Sequence, residues 1–460
     1  MRQLFGTNGI RGIIGDSMGP ELALGIGSAF GTFVGRGKRI AVGRDPRHSG
    51  EMLSQAFSSG ARAAGCDVVD LGFLPTPALQ YYLKLRPTFG GGAIITASHN
   101  PPKFNGIKCV GREGLELSSE AEEEIERIYF SKKWHSAAWD ACGSYATDEG
   151  AGAPYVDGVL SQVDAEAIVK AKLGVLLDCA NGAACHTSPG AMRMLGCRLS
   201  TINGHPDGAF PGRMPEPTEE NLKELVALCR RVRPDIAIAH DGDADRATFI
   251  DDRGRYVPGD ESLAILAADT VSKARGGIVV APVDTSLVVQ EAVAAKGGKV
   301  DYTAIGSPIV TKRMRDLCAV FGGEGNGGAV FPKHQFCRDG LMSAAGMLDV
   351  VVRSGQRLSD IVDALPKFER RKLRIECPEK MKAGAMRAIE KRLGDAVTIK
   401  VDGLKIVDGE GWALIRTSGT EPIIRVVAES RSASSTEERV KSLRATVLEA
   451  LGDAASGSAR

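Results

Sequence analysis

The chain has 460 residues, a formal net charge of +1, 43% hydrophobic and 25% charged residues; that composition suits several globular cores and gives no electrostatic basis for binding nucleic acid or an anionic membrane. Ten scattered cysteines contain no C-x-x-C pair, which speaks against a zinc or disulfide framework and for a reduced, cytoplasmic protein. The opening residues show no basic-then-apolar signal pattern, and no apolar run approaches the ~18–20 residues that span a bilayer.

Taken in order, the chain opens with the glycine-punctuated run Phe5-Gly6-Thr7-Asn8-Gly9-Ile10-Arg11-Gly12. Apolar periodicity predicts a helix over 21–34. Gly25, Gly27 and Gly31 fall inside it and make no nucleotide fingerprint. One pattern is then written three times. Strand 40–42, helix 51–64, strand 68–71 and helix 76–85 lead to strand 93–95 and the loop Thr96-Ala97-Ser98-His99-Asn100-Pro101-Pro102. Strand 175–177, helix 189–195, strand 199–202 and helix 219–231 lead to strand 236–239 and Asp241-Gly242-Asp243-Ala244-Asp245-Arg246. Strand 278–280, helix 287–295, strand 300–303 and helix 309–317 lead to strand 319–321 and Gly322-Gly323-Glu324-Gly325-Asn326-Gly327-Gly328. Alternating strands and helices imply parallel pairing, with ligands gathering beyond the carboxyl ends of the strands. Three loops at equivalent places are therefore expected to face one cleft. Residues 143–154 read as a linker, 251–259 as a turn-rich junction and 368–380 as a charged boundary. The remainder reads as a small α+β domain: helix 381–393, strands 397–401, 404–407, 412–415 and 423–428, helix 437–451 and a disordered end from 454.

The loops carry the chemistry. Ser98 sits where a buried strand opens into a proline-constrained loop, a position for a reacting hydroxyl or for a capped turn. Asp241, Asp243 and Asp245 alternate, so in extended backbone their carboxylates converge on one hard cation, for which Mg²⁺ is suited. A calcium loop or a solvated acidic turn is the plainer alternative; an EF-hand would require Gly and Glu where Arg246 and Asp252 stand. Arg246 is a natural phosphate partner. Arg416-Thr417-Ser418-Gly419-Thr420-Glu421-Pro422 offers a guanidinium, hydroxyls and backbone N–H groups, as a phosphate cradle does, with Arg425 as a second cation; a hairpin turn that contains Arg is the alternative. Glu324 and Asn326 between glycines suit a sugar or a flexible polar loop. Lys108 and Arg11 are candidates to assist proton transfer or stabilise phosphoryl charge, and His99 to position phosphate or cap the turn. A phosphate-carrying hydroxyl, a cation site, a second phosphate site and a sugar reader together describe phosphoryl transfer.

With these motifs in this order, the chain resembles the α-D-phosphohexomutase family over nearly its whole length. The resemblance implies four domains around a central cleft, three sharing one mixed-sheet α/β topology and a C-terminal α+β domain, divided as 1–150, 151–252, 253–367 and 368–460. It implies that Ser98 is phosphorylated and holds Mg²⁺ with Asp241, Asp243 and Asp245. The phosphoryl group passes to a hexose monophosphate, a hexose 1,6-bisphosphate forms and reverses, and its other phosphate returns to Ser98. Arg416, Ser418, Gly419 and Thr420 would hold the non-reacting phosphate, Lys108 would serve as acid/base helper and Arg11 as a phosphate-side arginine. Many members carry Glu-x-Ser-Gly-His in the third loop; here it reads Glu324-Gly325-Asn326-Gly327-Gly328, which resembles archaeal members assigned as phosphoglucosamine mutases or as phosphomannomutase/phosphoglucomutase. His334 and Arg338 are candidates to replace the missing His. The expected activity is glucosamine 6-phosphate to glucosamine 1-phosphate, with phosphomannomutase/phosphoglucomutase as the alternative, and a Mg²⁺-dependent sugar phosphatase or a non-catalytic sugar-phosphate binder as readings of another class. The expected partner is a small hexose phosphate, without nucleic acid or membrane, in a monomer or homodimer.

Overall fold

A computed structural model describes residues 4–6, 8–418 and 421–457. Its first sheet contains β1 (Ile10–Ile13), β2 (Arg39–Arg44), β3 (Asp67–Phe73), β4 (Phe89–Ile95), β5 (Phe104–Gly111) and β6 (Tyr145–Thr147), in the order β1-β5-β4-β2-β3-β6. The second contains β7 (Gly174–Asp178), β8 (Arg198–Ile202), β9 (Ile236–His240), β10 (Ala247–Ile250) and β11 (Tyr256–Val257), in the order β11-β10-β9-β7-β8. The third contains β12 (Gly277–Pro282), β13 (Gly298–Thr303), β14 (Phe321–Glu324), β15 (Gly328–Phe331) and β16 (Gln335–Arg338), in the order β13-β12-β14-β15-β16. The last, β17 (Glu369–Glu376), β18 (Leu404–Asp408), β19 (Gly411–Thr417) and β20 (Ile423–Ser430), is antiparallel throughout and ordered β17-β20-β19-β18.

The first three sheets repeat one plan. Three parallel strands are joined by helical crossovers, and the third then turns back as an antiparallel hairpin: β4–β5, β9–β10 and β14–β15. The sheets are therefore mixed rather than wholly parallel. Each hairpin turn lies beyond the carboxyl end of a parallel strand, so Ser98, the aspartates and Glu324 occupy one structural position, although β14 extends through Glu324 and leaves only 325–327 of the expected loop as a turn. The hairpins are continued by antiparallel β11 and β16 in the second and third units. In the first unit the equivalent place beside β5 is taken by β1, from the opposite end of that unit's sequence.

The helical glycines have a packing reason. Helices Pro20–Val34 and Gly50–Ala63 cross closely: a Cβ on Gly27 would fall 2.0 Å from the Phe57 carbonyl oxygen, and one on Gly60 would fall 2.1 Å from that of Leu24. Several segments differ from expectation. Residues 145–147 of the supposed linker add β6 to the first sheet. The charged boundary is mostly β17, an edge strand that carries Arg370, Arg371, Lys372 and Arg374, as edges that resist further pairing do. The helix expected from 219 starts at Lys223, because Asn221 bonds back to Thr218 and Glu216 and holds the segment in turns. Residues 397–401 form only the isolated bridge Ile399↔Lys405. The last helix, Ala433–Gly457, runs past 454.

One buried apolar cluster runs through the first three units, joining Leu79 and Tyr82 to Leu177 and Phe249 and to Phe321 and Leu348. The fourth unit has its own core around Ile389, Ile415, Ile424 and Val447. It meets the third through Val283, Trp412, Leu414 and Val427. Among the described residues no helix is long and apolar enough to cross a membrane.

Candidate active site

Ser98 follows β4 with φ 52°, a left-handed conformation that costs a non-glycine residue of order 1 kcal/mol or more and must be held by its surroundings. Its N–H donates to Thr96 Oγ1 at 2.8 Å, and that hydroxyl donates to Asp45 Oδ2 at 2.6 Å. Arg47 completes the clamp. Its Nη2 donates to the carbonyls of Ser98 (2.9 Å) and Asn100 (2.6 Å), its Nη1 to those of Pro101 and Phe104 (both 2.8 Å), and its Nε to Asp45 (3.0 Å). Burial pushes the Asp45 carboxyl up, and the Arg47 charge opposes that rise.

The aspartate loop closes on this serine. Ser98 Oγ donates to Asp241 Oδ2 at 3.0 Å, and a Cβ on Gly242 would stand 2.4 Å from the Ser98 carbonyl oxygen. Asp241, Asp243 and Asp245 are all buried and present oxygens within 4.8 Å of one another. Lys108 on β5 donates to Asp243 Oδ2 at 2.6 Å and lies 3.6 Å from Asp245; Thr76 Oγ1 also donates to Asp243, at 2.6 Å. Burial and the other two carboxylates push Asp241 well above the usual range. For Asp243 burial acts upward too, but Lys108 and Thr76 outweigh it; Asp245 is likewise held down, by Arg338 and Lys108 against burial. Among the described residues, buried Asp243 Oδ1 and Asp245 Oδ1 have no hydrogen-bond partner, Arg246 Nε standing 3.7 Å from the latter. Two orphaned carboxylate oxygens in an all-oxygen cluster fit a hard divalent cation.

A cavity of about 360 Å³ opens above these loops, lined by Arg11, His99, Arg246, Glu324, Asn326 and Arg338 among others. Arg11 donates to Asn100 Oδ1 at 2.7 Å, and burial lowers its guanidinium. Arg246 Nη2 lies 3.2 Å from His99 Nδ1. Burial and the charges of Arg246 and Arg11 push His99 down to about 3, so it is a neutral acceptor at physiological pH. Asn326 Oδ1 accepts from the Gly328 N–H at 3.1 Å. Ser98 lies fully buried behind His99.

The fourth unit's loop stands apart from this cavity. Arg416 donates to Asp402 at 2.7 Å, and Asp402 accepts from the N–H of Ile305, a cavity-lining residue, at 3.3 Å. Arg425 pairs with Glu421 at 2.6 Å and reaches Ser418 Oγ at 3.5 Å. None of Arg416, Ser418 or Arg425 lines the cavity; Gly419 and Thr420 lie outside the described residues. Of the two candidates for the missing His, Arg338 reaches the cavity, whereas His334 is buried against the Tyr81 ring with centroids 4.7 Å apart.

Sequence reading overlooked three cations that shape the loops. Arg47 clamps the serine loop. Lys382, nearly buried, donates to the carbonyls of Ser418 (2.6 Å) and Glu421 (2.8 Å) beneath the Arg416 loop. Lys405 donates to the Val283 carbonyl at 2.6 Å across the joint between the third and fourth units. The short spacing Asp45-x-Arg47 directly after a strand was the available signal for the first.

Family models match the chain in four consecutive segments: phosphoglucomutase/phosphomannomutase alpha/beta/alpha domain I at 2–136, domain II at 153–254, domain III at 258–368 and the C-terminal domain at 373–446. A phosphoglucomutase/phosphomannomutase of Thermococcus kodakarensis is 41% identical over 445 residues, which is 95% of this chain and 97% of that protein. A phosphoglucosamine/phosphogalactosamine mutase of Sulfurisphaera tokodaii is 39% identical over 457 residues, 97% and 99% of the two chains. The crystal structure of a phosphoglucomutase/phosphomannomutase family protein from Burkholderia thailandensis superposes with a TM-score of 0.85 at 26% identity, covering 96% of this chain and 97% of that one. A serine set against three aspartates beyond equivalent strand ends thus comes with relatives that match it from end to end, and the chain is a member of the phosphoglucomutase/phosphomannomutase family.

Proposed function

We propose that the chain interconverts hexose 6-phosphates and hexose 1-phosphates through a phosphoserine at Ser98, with glucosamine 6-phosphate as the favoured substrate. The observation that carries this reading is the 3.0 Å contact between Ser98 Oγ and Asp241 within a cluster of buried carboxylates, beside a cavity rimmed by Arg11, Arg246 and Arg338. In the proposed cycle a sugar hydroxyl attacks the phosphorus of phosphorylated Ser98, the bond to Ser98 Oγ breaks, and a 1,6-bisphosphate results. The bisphosphate turns end for end, Ser98 Oγ attacks its other phosphate, and the hexose leaves with the phosphate it has just gained. Lys108 is assigned to pass the proton: its ammonium gives one to the departing Ser98 Oγ, and the amine so formed takes the one released by the attacking hydroxyl. Arg11 and Arg246 offset the charge of the transferring group. Neutral His99 accepts from Arg246 and fixes its direction. Mg²⁺ held by Asp241, Asp243, Asp245 and the serine phosphate would neutralise the equatorial oxygens.

Glu324 and Asn326 are assigned to the sugar, and Arg416, Ser418, Gly419, Thr420 and Arg425 to the distant phosphate. The fourth unit must then bring that loop toward the cavity when substrate binds. The Sulfurisphaera relative supports an amino sugar, and the Thermococcus relative supports the phosphomannomutase/phosphoglucomutase alternative. The division into units at 1–150, 151–252, 253–367 and 368–460 is proposed on the same reading.

The test is separate incubation with glucosamine 6-phosphate, mannose 6-phosphate and glucose 6-phosphate plus trace bisphosphate, with intact mass measured before and after Ser98→Ala. The expected result is interconversion, fastest with glucosamine 6-phosphate, and a phosphate-sized mass excess only where Ser98 is present. Inorganic phosphate released in step with substrate loss would identify a phosphatase instead. Full turnover by Ser98→Ala would rule out the serine cycle.

A further inference from the structure

Gly328 stands where many family members carry His, and its own geometry explains the glycine. Its backbone is not left-handed, so its torsion angles do not demand glycine. Space does. A Cβ built there falls 2.4 Å from Arg338 Cδ and 3.1 Å from both Arg338 Cγ and Asn326 Oδ1. The register accounts for the encounter: Val330 on β15 faces Arg338 on β16, and Gly328, two residues from Val330, shares its face. Arg338 therefore lies diagonally across the place where a side chain at 328 would project.

The arginine is only 6% exposed. One arm, Nη2, donates to Asp245 Oδ2 at 2.6 Å; the other, Nη1, donates to Glu324 Oε2 at 3.2 Å. Its buried Nε has no hydrogen-bond partner among the described residues, and the residue lines the cavity. A planar fork holds its two donor arms in a fixed mutual geometry, whereas an ammonium is a compact point charge on a flexible stem. The guanidinium links the aspartate loop of the second unit to the Glu324 loop of the third.

We propose that Arg338 is a specificity-determining residue of the hexose-phosphate site: it fills the space left by the absent side chain at position 328, fixes the direction of the Glu324 carboxylate and supplies the cation of that loop. The inference rests on the hexose-phosphate reading above. Because Arg338 partly neutralises Glu324, it limits how strongly that carboxylate attracts an ammonium group on the sugar. Its removal therefore shifts preference toward amino sugars.

The test combines substrate discrimination with a double-mutant cycle. Arg338→Ala is expected to lower kcat/KM for glucose 6-phosphate by roughly 10²-fold, with glucosamine 6-phosphate roughly tenfold less affected. A purely structural defect would lower both alike. Gly328→Ala is expected to cost roughly tenfold in the native background and nothing further in Arg338→Ala, because the obstruction is gone. Arg338→Lys, which keeps charge without the fork, is expected to fall between, and it serves as the probe if Arg338→Ala does not fold. Calorimetric titration of each chain with glucose 6-phosphate gives a readout that needs no turnover. A native chain that binds but does not turn over would defeat the mutase reading while leaving Arg338 testable by affinity. An unchanged substrate ratio and affinity in a folded Arg338 variant, or an equal Gly328→Ala penalty in both backgrounds, would overturn the proposal.

Discussion

At the scale of single residues, the clearest unassigned contributor is Arg47. Its guanidinium satisfies four carbonyls of the serine loop while balancing buried Asp45. Arg47→Ala would strand that carboxylate and free the loop, a change of roughly 3–5 kcal/mol for a broken buried pair. Denaturant unfolding is expected to register that loss, with turnover falling in parallel, and Arg47→Lys is expected to restore little because an ammonium cannot span the same carbonyls. Native stability in Arg47→Ala would refute the clamp. This residue also marks where sequence reading stops. Ser98 and the alternating aspartates were legible because their chemistry depends on local spacing. Arg47, Lys382 and Lys405 were not, since an isolated basic residue reads the same whether it is solvated or holds a loop from below. Arg338 was legible only as one of two candidates, and it took the fold to separate it from His334.

At the scale of elements, the repeated hairpin loop matters most. The thrice-written pattern correctly placed three loops at equivalent strand ends, because period and order survive in sequence. The antiparallel return of each third strand did not show in the periodicity, since a hairpin strand and a crossover strand have similar composition; mixed sheets were expected only through the family resemblance. The closeness of two of these loops is testable. A Cβ on Gly242 would meet the Ser98 carbonyl, so Gly242→Ala should push the aspartates away from the serine hydroxyl. The expected outcome is a roughly 10²-fold drop in kcat/KM, the cost of about an ångström of misplacement, with an unfolding midpoint much closer to native than that of Arg47→Ala. An Ala variant with native kcat/KM would show that the loops need not touch.

For the whole molecule, one apolar cluster runs through three units, and the fourth, built on its own core, meets the third at a separate joint. Lys405 lies within that joint, its Nζ 4.2 Å from the centroid of the Tyr302 ring and 4.4 Å from that of Trp412. Burial lowers its ammonium from the ordinary 10.5 to about 8. Between those values the unfolded chain holds a proton that the folded chain has released, so stability rises with pH across the window. The contribution is about 3 kcal/mol when fully expressed. Measured by denaturation across the window, the native chain is expected to gain stability relative to Lys405→Met as pH rises; parallel profiles would refute the assignment. A consequence of another kind follows from β1, which closes the first sheet against β5. Ribosomal synthesis delivers β1 well before its partner strand exists, so Arg11 cannot take its place opposite Asn100 until β5 has emerged. The first unit is thus obliged to mature late relative to its position in the message, and an amino-terminal deletion through Ile13 would uncover the strand that carries Lys108.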